Sequence, residues 1–310
     1  MMTFMVSQAC ATINTKSATN QTSMSAESYR FKVGTFECMA VSDGTSAYQD
    51  PVSTLFINAP KKRLEQKLRE HNLQPEQWKE WISPYICALI KTEEHLVLVD
   101  TGQGSLETTT GRLIQNLRTE DIGPDDIDTI ILTHGHPDHI GGNLTSEGKP
   151  AFPKARFVMW KDEWDFWISD RSVTELKIEE NLKKMLIDLA RNNLLPVKSQ
   201  LDLIEHGTEI VPGIKAVMAT GHTPGHIAVA ISSRGEQLLC VSDAVLHPIH
   251  LESPDWYSPF DVAPEQTVIT RRRLFNRAAT EKTLVLAFHF PFPGLGHITK
   301  KGDGWQWQPI

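Results

Sequence analysis

The chain has 310 residues, 40% of them hydrophobic and 22% charged, a composition that supports a sizeable core and excludes wholesale disorder. Lys and Arg number 31 against 38 Asp and Glu, and the net charge of −7 speaks against nucleic acid or an anionic membrane surface as a partner. No run of 18 apolar residues is present, so no transmembrane helix is expected.

Residues 1–28 hold fourteen Ser, Thr, Asn or Gln and two charges, Lys16 and Glu27, with no helical or strand period. A disordered or loosely docked polar arm is expected there. It makes a poor signal peptide, lacking a basic start and a long apolar stretch. The lipoprotein-like box Ser7-Gln8-Ala9-Cys10 leaves export as the alternative to a cytoplasmic chain, and Met24 is an alternative start. Cys10, Cys38, Cys87 and Cys240 form no CxxC pair, which fits a reducing, cytoplasmic compartment.

One domain is expected over 29–310. A strand at 30–41 ends at the turn Ser42-Asp43-Gly44. Spacing at 61–73 places Leu64, Leu68 and Leu73 on one helical face, and a shorter helix is expected at 76–82. Together they make a helical insertion over about 60–84, a candidate cap or homodimer interface. Strands at 85–90 and 95–99 close on Asp100-Thr101-Gly102, followed by a helix at 106–118 and a buried strand at 126–132. A strand at 156–159 runs into an aromatic helix at 161–168, then an amphipathic helix at 173–190. Further strands are expected at 201–204, 214–219, 227–232, 237–241, 283–288 and 305–307, with a helix at 264–279. Two batches of strands, each mixed with helices, predict an α/β fold of two sheets with helices outside.

Ten of the twelve histidines lie between His134 and His297. The densest stretch, His134-Gly-His-Pro-Asp-His139, follows a buried strand. In extended chain alternate side chains point the same way, so His134 and His136 can share one metal. Pro137 then forces a turn that directs Asp138 and His139 at a second metal. Imidazole and carboxylate suit Zn, Fe, Mn or Co better than Ca or Mg. Downstream, His222, Asp243 and His289 each end a predicted strand and complete a donor set that the first cluster leaves short.

The order and wording of these motifs resemble the metallo-β-lactamase superfamily over roughly residues 30–310: HGHPDH at 134–139, GHTPGH at 221–226, SDA at 242–244, FHFPFPGLGH at 288–297, and Asp100-Thr101-Gly102 upstream. The resemblance implies an αββα sandwich of two mixed sheets with a metal pair at one edge. It implies His134, His136 and His222 on one metal, Asp138, His139 and His289 on the other, and Asp243 bridging. Asp100 is expected to steady the ligand loops.

Two metals sharing a hydroxide polarise a carbonyl or phosphoryl oxygen, with Asp138 orienting the hydroxide and passing its proton on. The leading expectation is therefore a dinuclear zinc hydrolase acting on a small, fairly apolar ester, lactone or phosphotriester, with Fe, Mn or Co as the alternative metals. Departures from subfamily patterns narrow it. Asp243 stands where zinc β-lactamases lack a bridging aspartate, and only 21 residues follow His289, too few for the glutathione-holding helices of glyoxalase II-like enzymes. Acyl-homoserine lactonases carry a tyrosine three residues past the bridging aspartate, where this chain has Leu246. The closing segment resembles the branch containing methyl parathion hydrolase. Trp164, Trp256, Phe260, Phe292 and His250 are the candidate pocket residues. The alternatives are a mononuclear iron persulfide dioxygenase on the same fold and a non-catalytic binding module.

Overall fold

The computed structural model describes residues 27–205 and 207–310. The expected N-terminal arm lies outside the described residues except for its last two, and Ser28 already pairs with Val41 in the first strand. Sheet one runs, in spatial order, β1 (Ser28–Val33), β2 (Phe36–Gln49), β3 (Glu80–Lys91), β4 (Leu96–Val99), β5 (Thr129–Ile131), β6 (Arg156–Trp160) and β7 (Leu201–Ile204). Its first three pairings are antiparallel and its last three parallel. Sheet two contains β8 (Glu209–Val211), β9 (Ile214–Met218), β10 (Ile227–Ser233), β11 (Glu236–Cys240), β12 (Leu284–Leu286), β13 (Leu295–Lys301) and β14 (Gly304–Pro309). Here β11 and β12 are parallel and the other pairings antiparallel.

Side-chain alternation explains why two sheets stack. On β2 and β3, Cys38, Ala40, Ile86, Ala88 and Ile90 face sheet two and pack with Ile214, Val229, Ile231 and Leu286. Their neighbours Met39, Val41, Tyr85, Cys87 and Leu89 point the other way, into a second core. Residues i and i+2 share a face, so strands buried on both sides read as near-continuous apolar runs. The second core is closed by α3 (Leu113–Thr119), α5 (Lys161–Ile168) and α7 (Glu180–Leu194). On the far face of sheet two, Leu274, Phe275 and Ala278 of α9 (Pro264–Glu281) cover Leu239, Val241 and Val285. The result is the expected αββα sandwich. Among the described residues no helix is long and apolar enough to cross a membrane.

Short helices fill the remaining connections: α1 (Pro51–Leu55), α2 (Lys61–Glu70), α4 (Pro137–Ile140), α6 (Arg171–Glu175) and α8 (Pro248–Glu252). Several expected boundaries move. The helix expected at 76–82 is absent: Gln74–Trp78 form a turn, and β3 begins at Glu80, with Trp81 and Ser83 turned inward and Glu80 and Ile82 outward. Only α2 is helical in the supposed insertion. Strand β2 does not stop at Ser42 but passes through a bulge between Ser42 and Gly44. There the buried Asp43 carboxylate accepts the N–H groups of Gln103, Gly104, Gly111 and Leu113 at 2.8–3.2 Å. Residues 104–112 therefore wrap around this carboxylate, and the helix expected at 106–118 starts only at Leu113. The helix expected at 173–190 is split, α7 beginning where the Glu179 side chain caps the Leu182 N–H.

A fourth apolar cluster sits apart from the sandwich. Leu55 and Phe56 after β2 and Leu64 and Leu68 of α2 pack on Leu246, Ile249 and Trp256 from the segment after β11. Polar bonds fasten the two segments: the Ile57 N–H donates to the Tyr257 carbonyl, Ser258 Oγ to the Thr54 carbonyl and His250 Nε2 to the Leu55 carbonyl. Arg271 of α9, fully buried, donates to the carbonyls of Ala244, Pro254 and Trp256, and burial draws its guanidinium down to about 10. These segments form a cap at one edge of the sandwich.

Candidate metal centre

The candidate ligands come from strand ends and the loops that follow, at the edge of the two sheets. His134 and His136 lie just past β5, with Pro137 opening the single turn of α4 that carries Asp138 and His139. Asp243 sits in a 3₁₀ turn after β11, and His289 follows β12. His222 lies in the loop between β9 and β10. The seven side chains fall into two sets, His134–His136–His222–Asp243 and Asp138–His139–Asp243–His289, with donor atoms within 4.8 Å of one another in each. Asp243 belongs to both. The structure brings all seven of these side chains together at one edge of the sandwich.

The nitrogen geometry fits cations. His136 Nδ1 lies 3.0 Å from His134 Nε2 and 2.9 Å from His222 Nε2. His222 Nδ1 donates to Asp261 Oδ1 at 2.9 Å, which leaves Nε2 as the nitrogen facing the other imidazoles. In the second set, His139 Nδ1 donates to Asp100 Oδ2 at 2.8 Å, and His289 Nδ1 faces Ser83 Oγ at 2.8 Å. Their Nε2 atoms point inward, 3.5–3.6 Å from Asp138 Oδ2. His139 Nε2 and Asp243 Oδ1 are buried and 3.1 Å apart but make no hydrogen bond. Converging lone pairs with imidazoles fixed from behind by carboxylates or a hydroxyl are what a divalent cation requires. Burial holds His134 and His136 well below the usual imidazole range, in the neutral ligand form, whereas on His139 burial is outweighed by Asp243, Asp138 and Asp100, which hold it well above that range. Burial acts the same way on His222, but Asp243 and Asp261 outweigh it and hold the group at about 9, a positive charge that a cation on Nε2 would replace.

Asp100 also accepts from Thr133 N and Oγ1 at 2.8 Å, fixing the strand end just before His134. Asp261 was not visible in the sequence as a partner of His222, because the two are 39 positions apart and no spacing links them.

A cavity of about 470 Å³ opens above both sets. Its wall includes Leu182, Met185, Leu186 and Leu189 of α7, with Leu106, Trp81, Leu246 and Phe260; Tyr48, Thr54, Gln103 and Glu107 are its polar members outside the ligand sets. The sequence-derived pocket is corrected on four of five residues, Phe260 alone lining the cavity. Trp164 is buried in the core beneath sheet one. Trp256 is buried in the cap cluster, and the His250 ring lies tilted against Phe56, centroids 4.7 Å apart, with its Nε2 committed to Leu55. Phe292 is on an outer loop, 38% exposed. Aromatic character near the motifs misled; the α7 stripe, Leu182, Met185, Leu186 and Leu189 at helical spacing, was the usable signal.

Fold and donor set define a metal-dependent hydrolase. The chain belongs to the metallo-beta-lactamase superfamily, whose sequence profile matches residues 86–288, well over half of the chain. Among curated proteins it is similar to the N-acyl homoserine lactonase AiiA of Bacillus thuringiensis subsp. kurstaki, 28% identical over 228 residues that cover 66% of this chain and 81% of that protein. Among solved structures it resembles AidC, a dizinc quorum-quenching lactonase in complex with a product, N-hexanoyl-L-homoserine. That match has a TM-score of 0.85 and 28% identity, covering 92% of this chain and 98% of that one. The hydrolase AbOPH, of the beta lactamase superfamily, matches with a TM-score of 0.84 and 26% identity over 93% and 98% of the two chains.

Proposed function

We propose that this chain opens the ring of a small lactone with an acyl side chain, of the N-acyl homoserine lactone class, with two zinc ions held by the two donor sets. The observation that carries the reading is the pairing of both complete His/Asp sets with an otherwise largely apolar cavity directly above them. Bound divalent cations supply Lewis acidity to the lactone carbonyl and lower the pKa of the attacking water.

The chain's own groups do the rest. Asp138, whose side chain is partly open to the cavity, accepts the proton of the attacking water and returns it to the departing ring oxygen. Tyr48, its hydroxyl 2.8 Å from that of Tyr85, donates to the substrate carbonyl region and takes over the work that Leu246 cannot do. Glu107, which accepts from Ser46 Oγ at 2.7 Å and Gln103 Nε2 at 3.1 Å, receives the side-chain amide N–H. The Leu182–Leu189 face of α7 seats the acyl chain, each buried methylene being worth about 0.8 kcal/mol.

The persulfide dioxygenase and binding-module alternatives are not favoured: a mononuclear site has no use for a second complete set, and the relatives named above are lactonases and hydrolases. The test is metal content by mass spectrometry followed by kcat/KM on acyl homoserine lactones, aryl esters and a phosphotriester. Two metals per chain with lactones as the preferred substrates is the expected result. A phosphotriester outperforming every lactone, or one iron per chain with oxygen uptake on a persulfide, overturns it.

A further inference from the structure

Glu163 is a buried acid that the proposed chemistry does not use. It lies in the first turn of α5, is fully buried, and spends both carboxylate oxygens on the backs of the ligand loops. Oε1 accepts from Gly135 N at 2.8 Å and Trp167 Nε1 at 2.6 Å. Oε2 accepts from Thr223 Oγ1 at 2.6 Å and Gly225 N at 2.9 Å. Gly135 is the residue between His134 and His136, and Thr223 and Gly225 lie one and three residues after His222. One carboxylate therefore grips both loops that supply the three-histidine set. Trp167, bound to the same oxygen as Gly135, lays its ring edge-on to His136 at 5.5 Å.

The approach leaves no slack. A Cβ on Gly225 would fall 2.1 Å from the backbone nitrogen of Glu163, and one on Gly135 would fall 2.4 Å from the Trp167 ring. Both loops are pressed against α5, and neither can move without losing a charge-assisted bond. Asp138 and His139 of the other set share the 134–139 segment, but among the described residues the imidazoles of that set are held by other groups, His139 by Asp100 and His289 by Ser83.

We infer that Glu163 is a positioning residue that sets the spacing of His134, His136 and His222, and so governs metal affinity at that set in preference to the other. The inference rests on the metal reading of the centre and not on the lactone reading. In Glu163→Gln one oxygen becomes an NH₂ that confronts an N–H donor, while size and burial are kept. Thr223→Val removes one of the four bonds and leaves the carboxylate in place.

The test titrates Co²⁺ into the metal-stripped full chain against a competing chelator, following visible absorption and near-ultraviolet circular dichroism. Glu163→Gln is expected to weaken one of the two Co²⁺ ions by about 10–100-fold and alter its absorption bands, as loss of a group that orients ligands does. The second ion stays within about threefold, on the reasoning that the other set's supports are untouched, and the dichroism is unchanged. Thr223→Val is expected to weaken the same ion by a smaller factor, which keeps the idea testable should the glutamine variant misfold. Wild-type affinity at both sites in the variants overturns the inference, as does equal loss at both sites in a variant whose near-ultraviolet signal is intact; if Glu163→Gln loses that signal, Thr223→Val decides by the same two criteria. A wild-type chain that binds two Co²⁺ but spares lactones removes the proposed substrate and leaves the role of Glu163 standing.

Discussion

The floor and the wall of the cavity are built by different physics. On the floor every imidazole of the two donor sets is almost fully buried, and charged or hydroxyl groups hold His134, His139, His222 and His289 from behind. The wall is held by packing: Met185 and Leu106 are 48% and 43% exposed, and Leu182, Leu189 and Phe260 are half-buried. Directional bonds fix atoms to a few tenths of an ångström, whereas apolar contacts tolerate exchange of shape. The floor can therefore keep one chemistry while the wall accepts different substrates.

The sharpest way to break this division is to remove the residue both sets share. Asp243→Asn should lower turnover by about 10³-fold or more and reduce metal content, with near-ultraviolet dichroism preserved. Next, Asp261→Asn should weaken the metal held with His222 by about 10–100-fold in chelator competition, without changing relative preference among substrates. Tyr48→Phe removes one hydroxyl at the border between floor and wall. It is expected to cut kcat by about tenfold, or ~1.4 kcal/mol, with KM little changed. On the wall proper, Met185→Ala should raise KM for a long-chain lactone by about threefold and leave kcat and the short-chain substrate alone.

The smallest effect concerns the cap and pH. Burial pulls His247 down from 6.5 to about 3, with its Nδ1 accepting the Ile249 N–H and His71 nearby. A histidine kept neutral in the fold takes up its proton more readily when unfolded. Its contribution is present above pH 6.5 and is lost as pH falls towards 3. His247→Gln should thus lose less stability than the parent between pH 7 and 5, measured by urea unfolding at each pH.

Legibility in the sequence followed the same division. The ligand sets could be read because strand-end His and Asp residues recur in fixed short motifs, and the two-sheet architecture because apolar runs alternate with helical spacing. Trp81 and Ile82 satisfied a helical reading as readily as a strand, and pairing with Tyr48 and Ala47 across β2 decided the matter. Asp43, Glu163 and Asp261 act through contacts 28–70 positions away, and no local pattern announces such a partner. The wall was misread because a buried aromatic and a cavity-lining one look alike until the packing is known, as Trp164 and Phe260 illustrate.

The cap carries a consequence for how such an enzyme diversifies. It is assembled from two chain segments, 50–73 and 244–261, that complete each other's backbone bonding across Ile57–Tyr257, Thr54–Ser258 and Leu55–His250. Lengthening or swapping one segment strands the carbonyls of the other in an apolar interior. Substrate range in this lineage should accordingly drift through paired changes at two distant places in the gene, and a loop graft intended to import a relative's selectivity must carry both halves.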